Sequence, residues 1–218
     1  MNRTKLNKIL AAHDEWVASN GASGARADLA GADLADANLM CANLMYANLQ
    51  NALLRDVNLR GANLQGVELQ GANLTHAALT EAILVDANLT GAYVADANFA
   101  CADLTGADLT GANLFNANLD SANLDGTNLQ ATDLRGCIGN RKHIKSMFVA
   151  SEYPITYTAD VLQIGCEQYL ISEWAQFDGN DIFRMDGNRG LNFWRMWKDY
   201  IFMTIEKSPA EPTGHGEK

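Results

Sequence analysis

The 218-residue chain has little of what marks an enzyme, a disulfide-stapled secreted domain or a nucleic-acid binder. It contains 3 prolines and 4 cysteines, and 16 Lys and Arg stand against 26 Asp and Glu, for a formal charge of −10 and a pI near 4.7. Neutralising phosphate needs clustered Lys and Arg, so this acidity argues against direct nucleic-acid binding. No window approaches ~18 consecutive apolar residues, and Met1 to Leu10 lacks the apolar core and cleavage site of a signal peptide. The expected location is the cytoplasm, with no membrane partner. The four His, at 13, 76, 143 and 215, have no metal-ligand spacing, and there is neither a phosphate loop nor a nucleophile elbow. These absences lead to the expectation of a protein that is not an enzyme and holds no metal or cofactor. At 48% hydrophobic, the chain is nevertheless too apolar to be a disordered acidic tail.

What is present is a period of five, running unbroken from Ala27 to Gly136. Every fifth position from Leu29 to Leu134 gives 22 sites, of which 20 are Leu and the others Val94 and Phe99. Two residues earlier stands Ala in 18 of 22 cases, and directly before stands Asn or Asp in 17. Neither helical spacing nor sustained alternation fits this pattern. A bend every five residues does, with a small residue and a Leu pointing inward on either side of one outward polar residue. Two residues after the Leu, 15 of 22 positions are Gly, Asn or Asp, the residue types suited to corners.

Runs such as Ala27-Asp28-Leu29, Ala42-Asn43-Leu44 and Ala107-Asp108-Leu109 carry an A-(D/N)-L-x-x pattern that resembles the pentapeptide repeat family. The resemblance implies an all-β, right-handed quadrilateral β-helix with four repeats per coil, hence about five and a half coils. At about 4.8 Å between stacked strands the rod would be about 26 Å long.

The expected organisation is an N-terminal capping segment (1–25), the β-helix (26–137), a small α+β C-terminal unit (138–207) and a disordered tail (208–218). Leu6, Ile9, Leu10, His13, Trp16 and Val17 fall at helical spacing, so residues 5–18 read as a short amphipathic helix covering the open β-helix end. Beyond Cys137 the period ends, and 12 of the 17 aromatic residues lie in the last 81 positions. Residues 146–153 and 155–165 suggest two strands or a hairpin around Pro154, and 170–177 and 189–206 suggest helices separated by turns at 178–181 and 186–188. The apolar stripe of the last helix is too wide for one packing face. It is either sandwiched within its own unit or forms a homodimer interface through Leu191, Trp194, Trp197, Ile201 and Ile205.

The candidate sites follow from chemistry and charge. Cys41 and Cys101 would lie three coils apart, about 14 Å, beyond the roughly 7 Å a disulfide allows, and Cys137 occupies an inward position. Cys166 is the one candidate nucleophile, with His143 as its conceivable base, against the simpler reading of a buried structural cysteine. Asp178-Gly179-Asn180 and Asp186-Gly187-Asn188 read as turns, not calcium loops, because an EF-hand keeps its Gly at the sixth position. Residues 26–136 hold 13 acids against Arg26, Arg55, Arg60 and Arg135, a net of −9. Duplex DNA of similar length, about 26 Å, holds roughly 15 phosphates. Two neighbouring faces without Arg in the repeat frame carry Asp28, Glu68 and Asp108, and Asp86, Asp103 and Asp125, the expected partner-binding surface. A competing apolar patch is Leu53, Tyr93 and Phe115.

The resemblance to quinolone-resistance members of the family then implies a DNA mimic that occupies the basic groove of DNA gyrase or topoisomerase IV. The same mimicry would suit a phage or prophage inhibitor of a host nuclease or defence complex. A different reading is a scaffold module that binds partners through its C-terminal unit.

Overall fold

The computed structural model describes residues 1–140, 142–147 and 153–214. They form two units, Met1–Asn140 with Thr213–Lys218, and Arg141–Pro212.

The first unit opens with helix α1, Arg3–Ala18, whose N-cap Asn2 side chain accepts the Lys5 N–H. It starts two residues before the expected helix and buries only Leu6 and His13 of the anticipated stripe. The pentapeptide ladder follows. Nineteen parallel bridges, from Asp28↔Asn48 to Asn118↔Ile138, pair the outward residue of each repeat with the one twenty positions on. Four repeats therefore complete one turn of the ladder. The inward Leu, Val94 and Phe99 are buried in every repeat except at the half-buried Leu129, and the small inward residues are buried from Ala47 to Cys137.

Backbone hydrogen bonding explains why five is the period. In a typical repeat, the Asn48 N–H donates to Ala27 O one coil below and the Leu49 N–H to Glu68 O one coil above. The corner Asn51 N–H donates to Gln70 O above, and the Ala52 N–H closes a turn on Leu49 O. The fifth N–H, on the residue after the Leu, is taken by a side chain. At all 17 rungs with Asn or Asp in the outward position, its Oδ1 accepts that N–H at 2.9–3.3 Å. Every backbone donor of such a repeat is thus used. The corners themselves are left-handed at all 22 repeats, with φ between +55° and +72°, and 13 of the 22 are not glycine.

The ladder ends are closed by special residues. Ala27 has no preceding repeat to receive its N–H, and the buried His13 supplies Nδ1 as the acceptor at 3.0 Å. In the last coil, Thr127, Thr132 and Cys137 replace inward Ala and donate to the carbonyls of Leu104, Leu109 and Leu114 at 2.8, 2.9 and 2.8 Å.

The second unit is an antiparallel four-stranded meander, β1 (Lys145–Met147), β2 (Ile155–Tyr157), β3 (Val161–Ile164) and β4 (Glu167–Leu170), followed by α2 (Ile171–Gln176) and α3 (Gly179–Lys207). Four strands stand where two strands or a hairpin were expected; residues 148–152 of the first expected strand lie outside the described residues. The expected turn at 178–181 is instead a helix start. Asp178 accepts the N–H groups of Asn180 and Asp181 while the Asp181 carboxylate accepts the Asp178 N–H, a reciprocal cap. The turn expected at 186–188 is a break within α3, where Gly187 has φ +55° and ψ −145°, a backbone open to glycine alone. Against the sheet pack Trp174, Ile182, Phe193, Trp194 and Ile201, and the Trp174 indole N–H donates to Leu162 O at 2.7 Å. Of the tail expected to be disordered, Ala210 is buried in this core and the Thr213 hydroxyl donates to Thr127 O within the first unit.

Two consequences can be measured. Asn63→Ala removes one rung cap and is expected to cost about 1 kcal/mol, whereas Asn63→Asp, which keeps Oδ1, changes stability by a few tenths; relief of the left-handed corner makes Ala131→Gly stabilising by about 1 kcal/mol. Chemical denaturation of the three variants reads these differences. Burial holds the His13 imidazole below its ordinary pKa. A depressed folded value means that the contribution of His13 is complete above pH 6.5 and is lost as the pH falls from there through the folded pKa. Wild type should therefore lose more stability between pH 7.5 and 5 than His13→Gln; equal losses would show that the imidazole does not titrate against folding.

Candidate functional site

The outward surface of the ladder is set by register. Asp103 lies on the rung that leads into the corner at Gly106, and Asp108 on the rung that leaves it. Asp86 is the corner one coil below, and a methyl group placed on Gly106 would run into its carboxylate. Asp125 is on the coil above, beside corner Gly126. Four of the six expected acids therefore gather about one corner. Asp28 stands at the other end of the same side, four rungs from Asp108.

Glu68 differs from the expectation. The face was read as free of Arg, yet Arg26 Nη2 reaches Glu68 Oε1 at 2.6 Å, and Gln50 Nε2 donates to its other oxygen at 2.8 Å. Arg26 precedes the first repeat and so escaped a count confined to the repeat frame, but its long side chain passes along the ladder to a rung two coils on. The remaining ladder arginines are also paired, Arg55 with Asp56 at 3.7 Å, Arg60 with Glu81 at 3.4 Å and Arg135 with Asp133 at 2.5 Å.

The carboxylates also do local work. Asp103 and Asp108 Oδ1 accept both the N–H and the hydroxyl of the following Thr105 and Thr110, the hydroxyls at 2.6 and 2.5 Å. Asn73 and Asn88 bond Thr75 and Thr90 in the same way, the hydroxyls at 2.7 Å. The turn therefore needs an oxygen and not a charge.

On another side of the ladder, Leu53 and Tyr93 take the outward position two rungs apart, 47% and 57% exposed, and Phe115 follows one coil beyond Tyr93. The Arg135 guanidinium carbon lies 5.6 Å from the centre of the Phe115 ring.

The expected dimer residues are divided. Trp194 and Ile201 are buried within their own unit, and Leu191, Trp197 and Ile205 are half-buried. The exposed apolar side chains of α3 are Phe183, Met196, Tyr200 and Met203. All five expected dimer residues follow the break at Gly187, on one helical segment that turns Trp194 and Ile201 into the core and leaves Met196, Tyr200 and Met203 exposed.

Cys166 is exposed at the β3–β4 turn, not buried as the simpler reading held, and its thiol approaches the Glu167 carboxylate at 3.8 Å instead of the buried His143. Cys41 and Cys101 are exposed corners, and burial pushes the Cys137 thiol up to about 12. Among the described residues, no group of three or more His, Cys, Asp or Glu is placed to hold a metal ion, and no helix is long and apolar enough to cross a membrane. A thiol reagent at pH 8 should accordingly modify three cysteines rapidly in the native protein, and Cys137 only after unfolding; rapid labelling of all four would contradict the buried thiol.

The profile for pentapeptide repeats (8 copies) matches residues 25–61, 42–80, 58–94 and 97–136, together half of the chain. Similar solved structures include the pentapeptide repeat protein Rfr23 from the cyanobacterium Cyanothece 51142, at 28% identity over 51% of this chain and 82% of that one, with a TM-score of 0.37. HetL, involved in heterocyst differentiation regulation in Nostoc sp. strain PCC 7120, is 33% identical over 53% of this chain, with a TM-score of 0.22, and the match spans 65% of HetL. Full-length QnrB1, a plasmid-mediated fluoroquinolone resistance protein, is 15% identical over 52% of this chain and 73% of its own, with a TM-score of 0.28. No curated protein sequence matches. The chain belongs to the pentapeptide-repeat family and carries an aromatic-rich C-terminal unit.

Proposed function

We propose that the repeat region is a right-handed quadrilateral β-helix whose acidic surface mimics DNA and binds the basic groove of a DNA-handling enzyme, with the type II topoisomerases DNA gyrase and topoisomerase IV as the first targets to test. The twenty-residue register supports four repeats per coil. One observation carries the mimicry. The rung cap is made equally by 12 Asn and 5 Asp, so the fold does not require the charge it carries. The four ladder arginines offset only part of its 13 acids, and the net charge of −9 between residues 26 and 136 favours a cationic partner.

The centre of this surface is the corner around Gly106, with Asp86, Asp103, Asp108 and Asp125; Asp28 extends it, and Glu68 enters only where a partner's cation displaces Arg26. Mimicry of this kind makes affinity fall with salt as counterions are released on binding. A scaffold role through the second unit is the other reading, favoured by Met196, 71% exposed on α3.

Binding of purified gyrase to the immobilised protein separates the two. Affinity should fall at least tenfold between 50 and 200 mM salt, duplex DNA should compete, and Asp86→Asn with Asp103→Asn, Asp108→Asn and Asp125→Asn should weaken binding at least as much as the salt. If gyrase is not retained, a pull-down from bacterial lysate at low salt tests nucleases and other DNA-binding enzymes by the same criteria. Salt-insensitive retention of a partner by wild type and the fourfold variant alike would sink the mimicry and move the function to the second unit.

A further inference from the structure

The five rungs without Asn or Asp identify positions where the fold gives up its own cap. They are Leu53, Glu68, Ala78, Ile83 and Tyr93. Two of them, Leu53 and Tyr93, stand two rungs apart on one side of the ladder, where Asn73 between them keeps the rule. At these two rungs an Asn would cap the following N–H, of Arg55 or Ala95, and the chain instead presents a large apolar side chain to water. Such a choice gives up the cap and leaves about half of each apolar side chain in water. A surface that departs from the fold's preference at the expense of stability is a mark of function.

The surroundings indicate what the surface takes. The corners on this side are Asp36, Asp56, His76, Asp96 and Asn116, so Leu53 is followed three residues later by Asp56 and Tyr93 by Asp96, the same pairing repeated two rungs apart. One coil beyond Tyr93, an arginine of the chain itself is seated on an aromatic ring of this side: Arg135 lies over Phe115 while pairing with Asp133. An aromatic face beside a carboxylate suits the planar guanidinium, which stacks and pairs at once, better than it suits the compact ammonium of lysine.

We propose that the Leu53–Tyr93–Phe115 side is a second docking surface, selective for arginine side chains of a protein partner, with Tyr93 and Asp96 as its central receptor. The proposal rests on the mimicry reading only in that both require a cationic partner. The acidic corner around Gly106 would supply charge, and this side would supply discrimination between arginine and lysine.

The test uses the full chain and two labelled peptides, nona-arginine and nona-lysine, titrated at 50 and 150 mM salt. Wild type should bind nona-arginine about three- to fivefold more tightly than nona-lysine at the higher salt, the scale of an exposed cation–π contact. Tyr93→Asn should abolish that preference and raise the melting temperature by about 2 °C, because it restores a rung cap while removing the ring. Tyr93→Phe should keep the preference. Equal binding of the two peptides by wild type, an undiminished preference in Tyr93→Asn, or a lowered melting temperature for that variant would each overturn the proposal. The two readings fail separately. Loss of discrimination with steeply salt-dependent binding of both peptides leaves the mimicry standing, whereas no binding of either peptide at 50 mM salt removes both.

Discussion

The hydrogen bond from a rung side chain to the backbone two residues on is the constraint around which the ladder is organised. A parallel coil with a corner every five residues can satisfy four of its five backbone donors through neighbouring coils and its own turn. The fifth lies on the outward side of the corner, where no strand passes. Asn or Asp is short enough to bond its own backbone two residues ahead and supplies the missing acceptor without leaving the rung. Once that bond is made, the chain enters the left-handed corner, and the next small residue and Leu fall inward again. Leu and Ala fill the interior, and the outward Asn and Asp complete the donor count at 17 of the 22 repeats, while the other five keep the same left-handed corner without that bond.

This division of labour leaves the surface unusually open to selection. The interior tolerates little beyond Ala and Leu, with Val57, Val67, Val94 and Phe99 as modest departures. Outside, the rung asks only for an oxygen at the right distance, and Asp and Asn are equivalent to it. Charge can therefore be added or removed rung by rung with small changes in stability, as surface substitutions that preserve a local bond usually allow. A backbone template that is indifferent to charge can take up almost any pattern of acids along its sides. The same indifference makes departures informative: where an apolar residue displaces the oxygen, the repeat gives up its cap and leaves much of the side chain in water.

How much could be read from the sequence follows from whether each feature is local. The period, the inward positions and the left-handed corners were legible because each repeats one local solution, and Cys137 was correctly placed inward by frame counting alone. Arg26 was not, because its reach to Glu68 depends on stacking that brings distant residues together. In the second unit the failures are of another kind. Strands of three or four residues are too short for alternation to show. Asp178-Gly179-Asn180-Asp181 has the composition of a turn and the spacing of a reciprocal cap, and only the second describes it. The wide α3 stripe was compatible with a helix sandwiched in its own unit or with a homodimer interface, and the structure places Trp194 and Ile201 in the unit's own core, where Ile182 joins them from the other side of the break.

The ends of the ladder obey the same accounting as its middle, with different residues. In the later repeats the inward residue's N–H closes a turn on the Leu carbonyl of the repeat before it, but the first repeat has none before it, so the Ala27 N–H would be left without an acceptor in a dry site. An imidazole can meet that need only as a neutral ring that presents a lone pair, and burial favours the neutral form. At the far end the problem is fraying, because the last coil is held from one side only. Thr127, Thr132 and Cys137 each add a side-chain bond to the coil below from a position that elsewhere holds Ala or Val, which can make none. These hydroxyls and the thiol are buried, so their loss would leave the Leu carbonyls with one partner fewer where water cannot replace it. Uniform repeats alone would thus make a ladder that frays at the top and leaves a buried donor unsatisfied at the bottom. The exceptions to the repeat are what give it two ends.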